Sequence, residues 1–332
     1  MGSGTEVYKK MGTGMGNQQV SKATNGRPES NPATSLRRIQ KGSTKLLIIS
    51  LILFFNFSNS LAQDTTGIQS RKRFSTLAVT AASSYVLINT GLYLAWYQDQ
   101  ATEPFRFYND SQQWLKVDKI GHAYSSYHIA RGGYQGLRWA GLPQKKAAIY
   151  AGISSFLWML PIEIMDGFSA GYGASWPDIA ANATGSLLFI SQELLLHKQL
   201  FRFKYSFHTT EYAAINPNLL GSNYPEQLLK DYNGQTYWLS FTPTDLGLEP
   251  WPDWLALSFG YGAEKMVSGR PLILFDRRYS QAYFSVDLNW SAIWQPKKTS
   301  GKVVQFILQG IKLPAPSLEL SQNKLKFHAV YF

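Results

Sequence analysis

The sequence contains no cysteine among its 332 residues. That excludes a disulfide framework, a thiolate metal site, a cysteine nucleophile and a lipid-modified cysteine following a signal, and it leaves the redox compartment unreadable. Three catalytic signatures are absent as well. There is no Gly-x-Ser-x-Gly elbow, no His-Glu-x-x-His helix, and no glycine-rich phosphate loop ending in Lys-Ser or Lys-Thr. Gly260-Tyr261-Gly262 lies in a strand pattern, where glycine marks close packing rather than ligand binding. Lys and Arg outnumber Asp and Glu by 32 to 21, but no block of them carries interleaved aromatics, so nucleic acid is excluded as a partner. The surplus sits early. Residues 1 to 62 hold eight Lys/Arg against two Asp/Glu, so the +11 of the whole chain falls to a mildly basic +5 for the remainder.

Residues 1–45 are rich in Gly, Ser, Asn and Thr, nearly free of aromatics and without apolar periodicity, which reads as a disordered, basic leader. Residues 46–62 read as a signal peptide. Leu46 to Phe57 is apolar, Arg37, Arg38, Lys41 and Lys45 precede it, and Ser60-Leu61-Ala62 supplies small residues for cleavage after Ala62. About a dozen apolar residues are too few to span a bilayer. The pattern predicts export across the inner membrane, to the periplasm or outer membrane of the cell envelope.

With 45% apolar and 14% aromatic residues, the rest of the chain can bury a sizeable core and is long enough for two domains. A helical domain is expected over 63–198 and a β-rich domain over 199–332. From Thr76 to Trp96 no residue is charged, so this segment either spans a bilayer or is buried in a bundle. Three further helices are expected over roughly Val117–Ala130, Lys145–Met165 and Pro177–Leu195, with a kink at Pro161. All are rich in Ala, Ser and Gly, which let helices approach closely. After about residue 198 the period changes to 2: Phe201, Phe203, Tyr205 and Phe207 alternate with Arg202, Lys204, Ser206 and His208. Further strands are expected at 282–290, 255–263, 237–242, 303–309 and 326–332, about six in all. Aromatic apolar faces, Trp251, Trp254, Trp290 and Trp294 near strand ends, and the terminal Val330-Tyr331-Phe332 resemble outer-membrane strands, although six fall short of a closed barrel. The expectation is an α+β protein: an N-terminal four-helix, membrane-associated bundle followed by an antiparallel β-rich C-terminal region, as an open sheet or partial barrel.

Polar groups recur inside the apolar helices. Asp118 and His122 are four apart, Glu163 and Asp166 three apart, Asp178 and Asn182 four apart, so each pair shares a helix face. Ionisable groups in apolar surroundings cost free energy unless they meet one another, so these predict one convergent cluster of Asp118, Lys119, His122, Glu163, Asp166, Asp178 and Asn182. Carboxylates with an imidazole suit a divalent metal or acid–base work. Asp118, His122, Glu163, Asp166 and Asp178 are the candidate ligands, and His122, Glu163 and Asp166 the candidate catalytic groups. Local roles compete with these. Ser175-Trp176-Pro177-Asp178 reads as a capping box, Asp166-Gly167 as a helix end, and Asp118 as a first-turn acid.

The order Asp-Lys-x-x-His (Asp118, Lys119, His122), Glu-x-x-Asp-Gly (Glu163, Asp166, Gly167) and Trp-x-Asp-x-x-x-Asn-x-x-Gly (Trp176, Asp178, Asn182, Gly185) resembles the YfiM-like family of predicted periplasmic lipoproteins. It is similar in motif order to VanZ-like membrane proteins. The resemblance covers roughly residues 75 to 198 and implies the cell envelope, with no established activity to carry over. The chain departs from it in having no lipid-attachment cysteine and in having Asp166 where VanZ-like chains carry Gln. Three functions follow as expectations: a structural or binding role for the buried polar cluster in the envelope, a metal-dependent envelope hydrolase acting on lipid or cell-wall precursors, or an outer-membrane assembly or transport factor. Membrane lipid or other envelope components are the partners each implies.

Overall fold

A computed structural model describes residues 68–98, 100–271 and 277–332. The leader and signal expected over 1–45 and 46–62 lie outside the described residues. Four long helices come first: α1 (Ile68–Leu92), continued by a π-helical turn at Tyr93–Tyr97, α2 (Val117–Trp139), α3 (Gln144–Phe168) and α4 (Trp176–Leu195). Two short strands, β1 (Phe107–Tyr108) and β2 (Ala174–Ser175), pair in parallel and tie the loop before α2 to the start of α4. α3 runs without a break through Pro161.

α2 is the central helix, packing on α3 and α4 and also on the sheet. Small residues make this possible. A Cβ on Gly185 of α4 would stand 2.0 Å from the carbonyl oxygen of Ala123 in α2, so only glycine lets the two backbones come this close. Phe74, Tyr127, Ala130, Leu137, Leu142, Ala151 and Phe189 fill the helical core. Among the described residues, α3 is the helix long and apolar enough to cross a membrane by length and composition. The segment from Thr76 to Trp96 does not reach that mark, because its Thr, Ser and Asn dilute its apolar residues.

The second half is an open antiparallel sheet of six strands in chain order: β3 (Arg202–Phe207), β4 (Gln235–Phe241), β5 (Leu255–Glu264), β6 (Tyr279–Leu288), β7 (Ala315–Ser321) and β8 (Lys324–Tyr331). One expected strand is a helix instead. Residues 303–309 fall largely in α5 (Thr299–Leu308), where Val303, Phe306 and Ile307 follow helical spacing and Phe306 lies under the Arg131 guanidinium of α2, 4.0 Å from ring centre to Cζ. β7 was not among the expected strands, although Ser317-Leu318-Glu319-Leu320-Ser321 alternates strictly after Pro314 and Pro316. β3 and β8 do not pair, yet the sheet curls far enough for Tyr331 of β8 to meet Thr236 of β4, hydroxyl to hydroxyl at 3.0 Å. Phe203, Tyr205, Tyr237 and Tyr261 turn toward α2 around Val117, Ala263 and Met266.

Candidate functional site

The start of α2, the end of α3 and the start of α4 meet at one pole of the helical half. α2 delivers Asp118, Lys119 and His122 from its first turns, α3 delivers Glu163 near its C-terminus, and α4 delivers Asp178 and Asn182. The two helix N-termini favour negative charge there. Before α2 the backbone takes three consecutive left-handed non-glycine residues, Trp114 (φ 48°), Leu115 (φ 47°) and Lys116 (φ 69°). Such residues cost free energy unless the surroundings fix them, and here Tyr261 donates to the Leu115 carbonyl at 2.6 Å and Trp114 N–H to that of Gly269 at 3.1 Å.

Lys119 is the hub of one side. Its Nζ lies 2.5 Å from Asp110 Oδ2, 2.9 Å from Asp118 Oδ2 and 2.8 Å from Asp178 Oδ1. Three carboxylates around one ammonium are thus already supplied with a cation. Asp110 belongs to the loop after β1 and also accepts from Ser175 Oγ at 2.5 Å. Ser175 caps α4 by accepting from the Asp178 N–H at 3.1 Å, while its own N–H donates to Glu163 Oε2 at 3.0 Å. The capping box is therefore shared between helices. Glu163 of α3 takes the backbone donor expected for Asp178, and Asp178 is released to face Lys119 and His122.

The other side is centred on His122. Its Nδ1 lies 3.2 Å from Asn182 Oδ1 and 3.6 Å from Glu163 Oε1, and its Nε2 lies 3.9 Å from Asp178 Oδ1. A proton on Nδ1, donated to Asn182, leaves the Nε2 lone pair beside Asp178. His122, Glu163 and Asp178 each offer a ligand atom within 4.8 Å of the others. Three buried atoms here have no hydrogen-bond partner: Glu163 Oε1, Asp178 Oδ1 and Asn182 Nδ2. Asp178 Oδ1 is nonetheless paired with the Lys119 ammonium at 2.8 Å.

The charges follow from these surroundings. Burial pushes the Glu163 carboxyl up to about 9, reinforced by the charge of Asp178 and only partly offset by the Ser175 N–H. Burial likewise raises Asp118 to about 7 against the pull of Lys119. Asp178 moves the other way: burial opposes ionisation, but His122 and Lys119 outweigh it and hold the carboxyl below the usual carboxylate range. Lys119 is also desolvated, yet Asp118 and Asp178 hold its ammonium above the ordinary lysine range. At neutral pH the site therefore holds a protonated Glu163 beside an ionised Asp178.

Six of the seven cluster residues named from sequence lie in this constellation. Asp166 is set apart: it accepts from Tyr97 at 2.7 Å, and burial raises its carboxyl to about 7. Asp118 faces Lys119, 2.9 Å from its Nζ, rather than His122. Sequence reasoning missed Asp110 as a member and Tyr97 as the partner of Asp166, and saw Ser175 only as a cap. Asn109-Asp110-Ser111 reads as a turn, and nothing local marks it as a partner of residues in α2 and α4. Tyr97 stands at the end of an apolar segment whose period gives no hint of Asp166.

Residues 106–191, about a quarter of the chain, match the family model described as predicted periplasmic lipoprotein (DUF2279). The match spans every residue of the constellation and agrees with a place in the cell envelope or periplasm. No curated protein and no solved structure matches the chain.

Proposed function

We propose that the helical half is an envelope binding module for one divalent cation, held by His122, Glu163 and Asp178 and oriented by Asn182. One observation carries this reading. Glu163 Oε1 is buried, lacks a hydrogen-bond partner and lies 3.6 Å from His122 Nδ1, while Asp178 Oδ1 lies 3.9 Å from His122 Nε2. A buried carboxylate oxygen left unpaired costs about 1–3 kcal/mol or more, a cost a bound cation would remove. One imidazole with two carboxylates is a mixed nitrogen and oxygen donor set suited to first-row divalent metals. The neighbouring trio of Asp110, Asp118 and Asp178 is a poorer cation site, because Lys119 contacts all three of its carboxylates, whereas in the His122 site it contacts Asp178 alone. The likeness to YfiM-like and VanZ-like motif order belongs to this reading, since it falls on the residues that build the site.

Calorimetric titration of the full chain with Zn²⁺, Mn²⁺ and Mg²⁺ at neutral pH tests it. One ion per chain should bind, with release of a proton from Glu163, and Glu163→Gln or Asp178→Asn should weaken binding roughly tenfold or more. A chain that binds none of the three at millimolar cation, while His122→Ala still lowers its melting temperature, would reduce the constellation to a structural network.

A further inference from the structure

The sheet is polar inside and apolar outside. Antiparallel sheets in water bury the apolar face and show the polar one to solvent. Here Ser258, Asp287 and Glu319 point inward and are 0%, 4% and 2% exposed, while Phe259, Leu320 and Phe327 point outward and are 55%, 55% and 68% exposed. The registers put Phe259, Phe284, Leu318 and Phe327 in one row across β5, β6, β7 and β8. The same face is covered by α2 at Phe203 and Tyr237 and then continues uncovered.

We propose that the outward face of β5–β8 lies against the hydrocarbon of a lipid bilayer. Four observations select lipid as the occupant. First, the inward face is polar and pairs its charges with one another, the pattern of the inner side of an outer-membrane strand. Lys204 and Asp287 pair at 2.7 Å, and Glu319 meets Lys326 at 2.8 Å and His328 at 2.7 Å. Second, β5 and β6 each have 10 residues, a span of roughly 33 Å at about 3.3 Å per residue, the length of a strand that crosses a hydrocarbon core. Third, Trp254, 51% exposed, stands immediately before the paired strand ends Leu255 and Leu288, with the Asn289 N–H donating to its carbonyl at 2.9 Å, so an exposed indole lies at one end of the strands, as aromatic residues do at a membrane interface. Fourth, Val79 and Leu87 of α1 and Val303 and Ile307 of α5 are exposed as well. Exposed apolar surface is thus spread over helices and strands, which suits a fluid acyl phase. The inference stands apart from the cation site, which uses no residue of the sheet.

The absence of native cysteine makes the test direct. Phe284→Cys, Leu318→Cys and, as an exposed control, Lys298→Cys are each coupled to an environment-sensitive fluorophore in the full chain. The labelled chains are placed in phosphatidylethanolamine–phosphatidylglycerol vesicles containing acyl-brominated lipid. Labels at 284 and 318 should emit at shorter wavelength and be quenched by bromine, while the label at 298 should do neither. Water-like emission at 284 and 318 overturns the proposal, as does cross-linking of two copies through position 318 without quenching, which would assign the face to a second copy. The unmodified chain provides an arm free of folding artefacts: after an alkaline carbonate wash it should float with vesicles, and recovery in the soluble fraction overturns the proposal.

Discussion

The helical and strand halves both bury charge, and they do so in opposite ways. In the strands each buried carboxylate is fully engaged: Asp287 Oδ2 meets Lys204 at 2.7 Å, Ser240 at 2.6 Å and Ser258 at 3.1 Å, and Asp287 Oδ1 accepts from the Leu288 N–H at 2.7 Å. In the helices Glu163 keeps one buried oxygen without a donor. A closed network specifies packing, while an incomplete one stores capacity for a ligand or a proton. The difference separates structural charge from charge available for binding within one chain.

The pH dependence of stability should sharpen the contrast most. Glu163 holds its proton in the folded state up to about 9 and loses it near the ordinary 4.5 when unfolded. Between those values the unfolded chain binds fewer protons, so the cation-free protein should lose stability as pH rises, by up to about 1.4 kcal/mol per pH unit. Asp178 acts in the opposite sense, but only below the ordinary carboxylate range, outside this window. Asp118 and Asp166, both raised to about 7, add to the fall below pH 7, so denaturant unfolding from pH 7 to 9 isolates Glu163: Glu163→Gln should flatten the slope there, and an unchanged slope in the variant would remove the distinction drawn for this residue.

Breaking the closed network comes next in size. Asp287→Ala leaves Lys204 uncompensated with its side chain 1% exposed, and should cost about 3–5 kcal/mol in unfolding free energy. The double change Lys204→Met with Asp287→Leu should recover most of that, because a buried pair is worth little more than apolar residues of similar volume. A double variant as unstable as the single one would mean that this pair does more than fill space. The smallest effect is expected at the shared cap. Ser175→Ala removes the acceptor of the Asp178 N–H and the donor to Asp110, and should lower stability by about 1 kcal/mol, read as a shift in the unfolding midpoint.

Much of this architecture was legible in the residues themselves. Spacings of three and four put the acids, amide and imidazole on single helix faces, and alternation from Phe201 to Phe207 and from Ala282 to Trp290 announced strands. Two elements misled for identifiable reasons. Val303 to Gln309 is rich in β-branched and apolar residues that suit either period, and packing against Arg131 decides for the helix. Ser317 to Ser321 alternates but was not among the expected strands; Pro314 and Pro316 beside it argue against a strand, and the start of β7 tolerates them.

The sequence by itself determined which residue types share a helix face and which alternate along a strand, because both periods are properties of the local backbone. Only the tertiary structure decided that Asp110 joins Lys119 from a loop, that Glu163 takes the cap donor and frees Asp178, and that the polar face of the sheet turns inward. Each of these depends on contacts between residues distant in the chain, where burial and the competition for hydrogen-bond donors set the outcome rather than local preference.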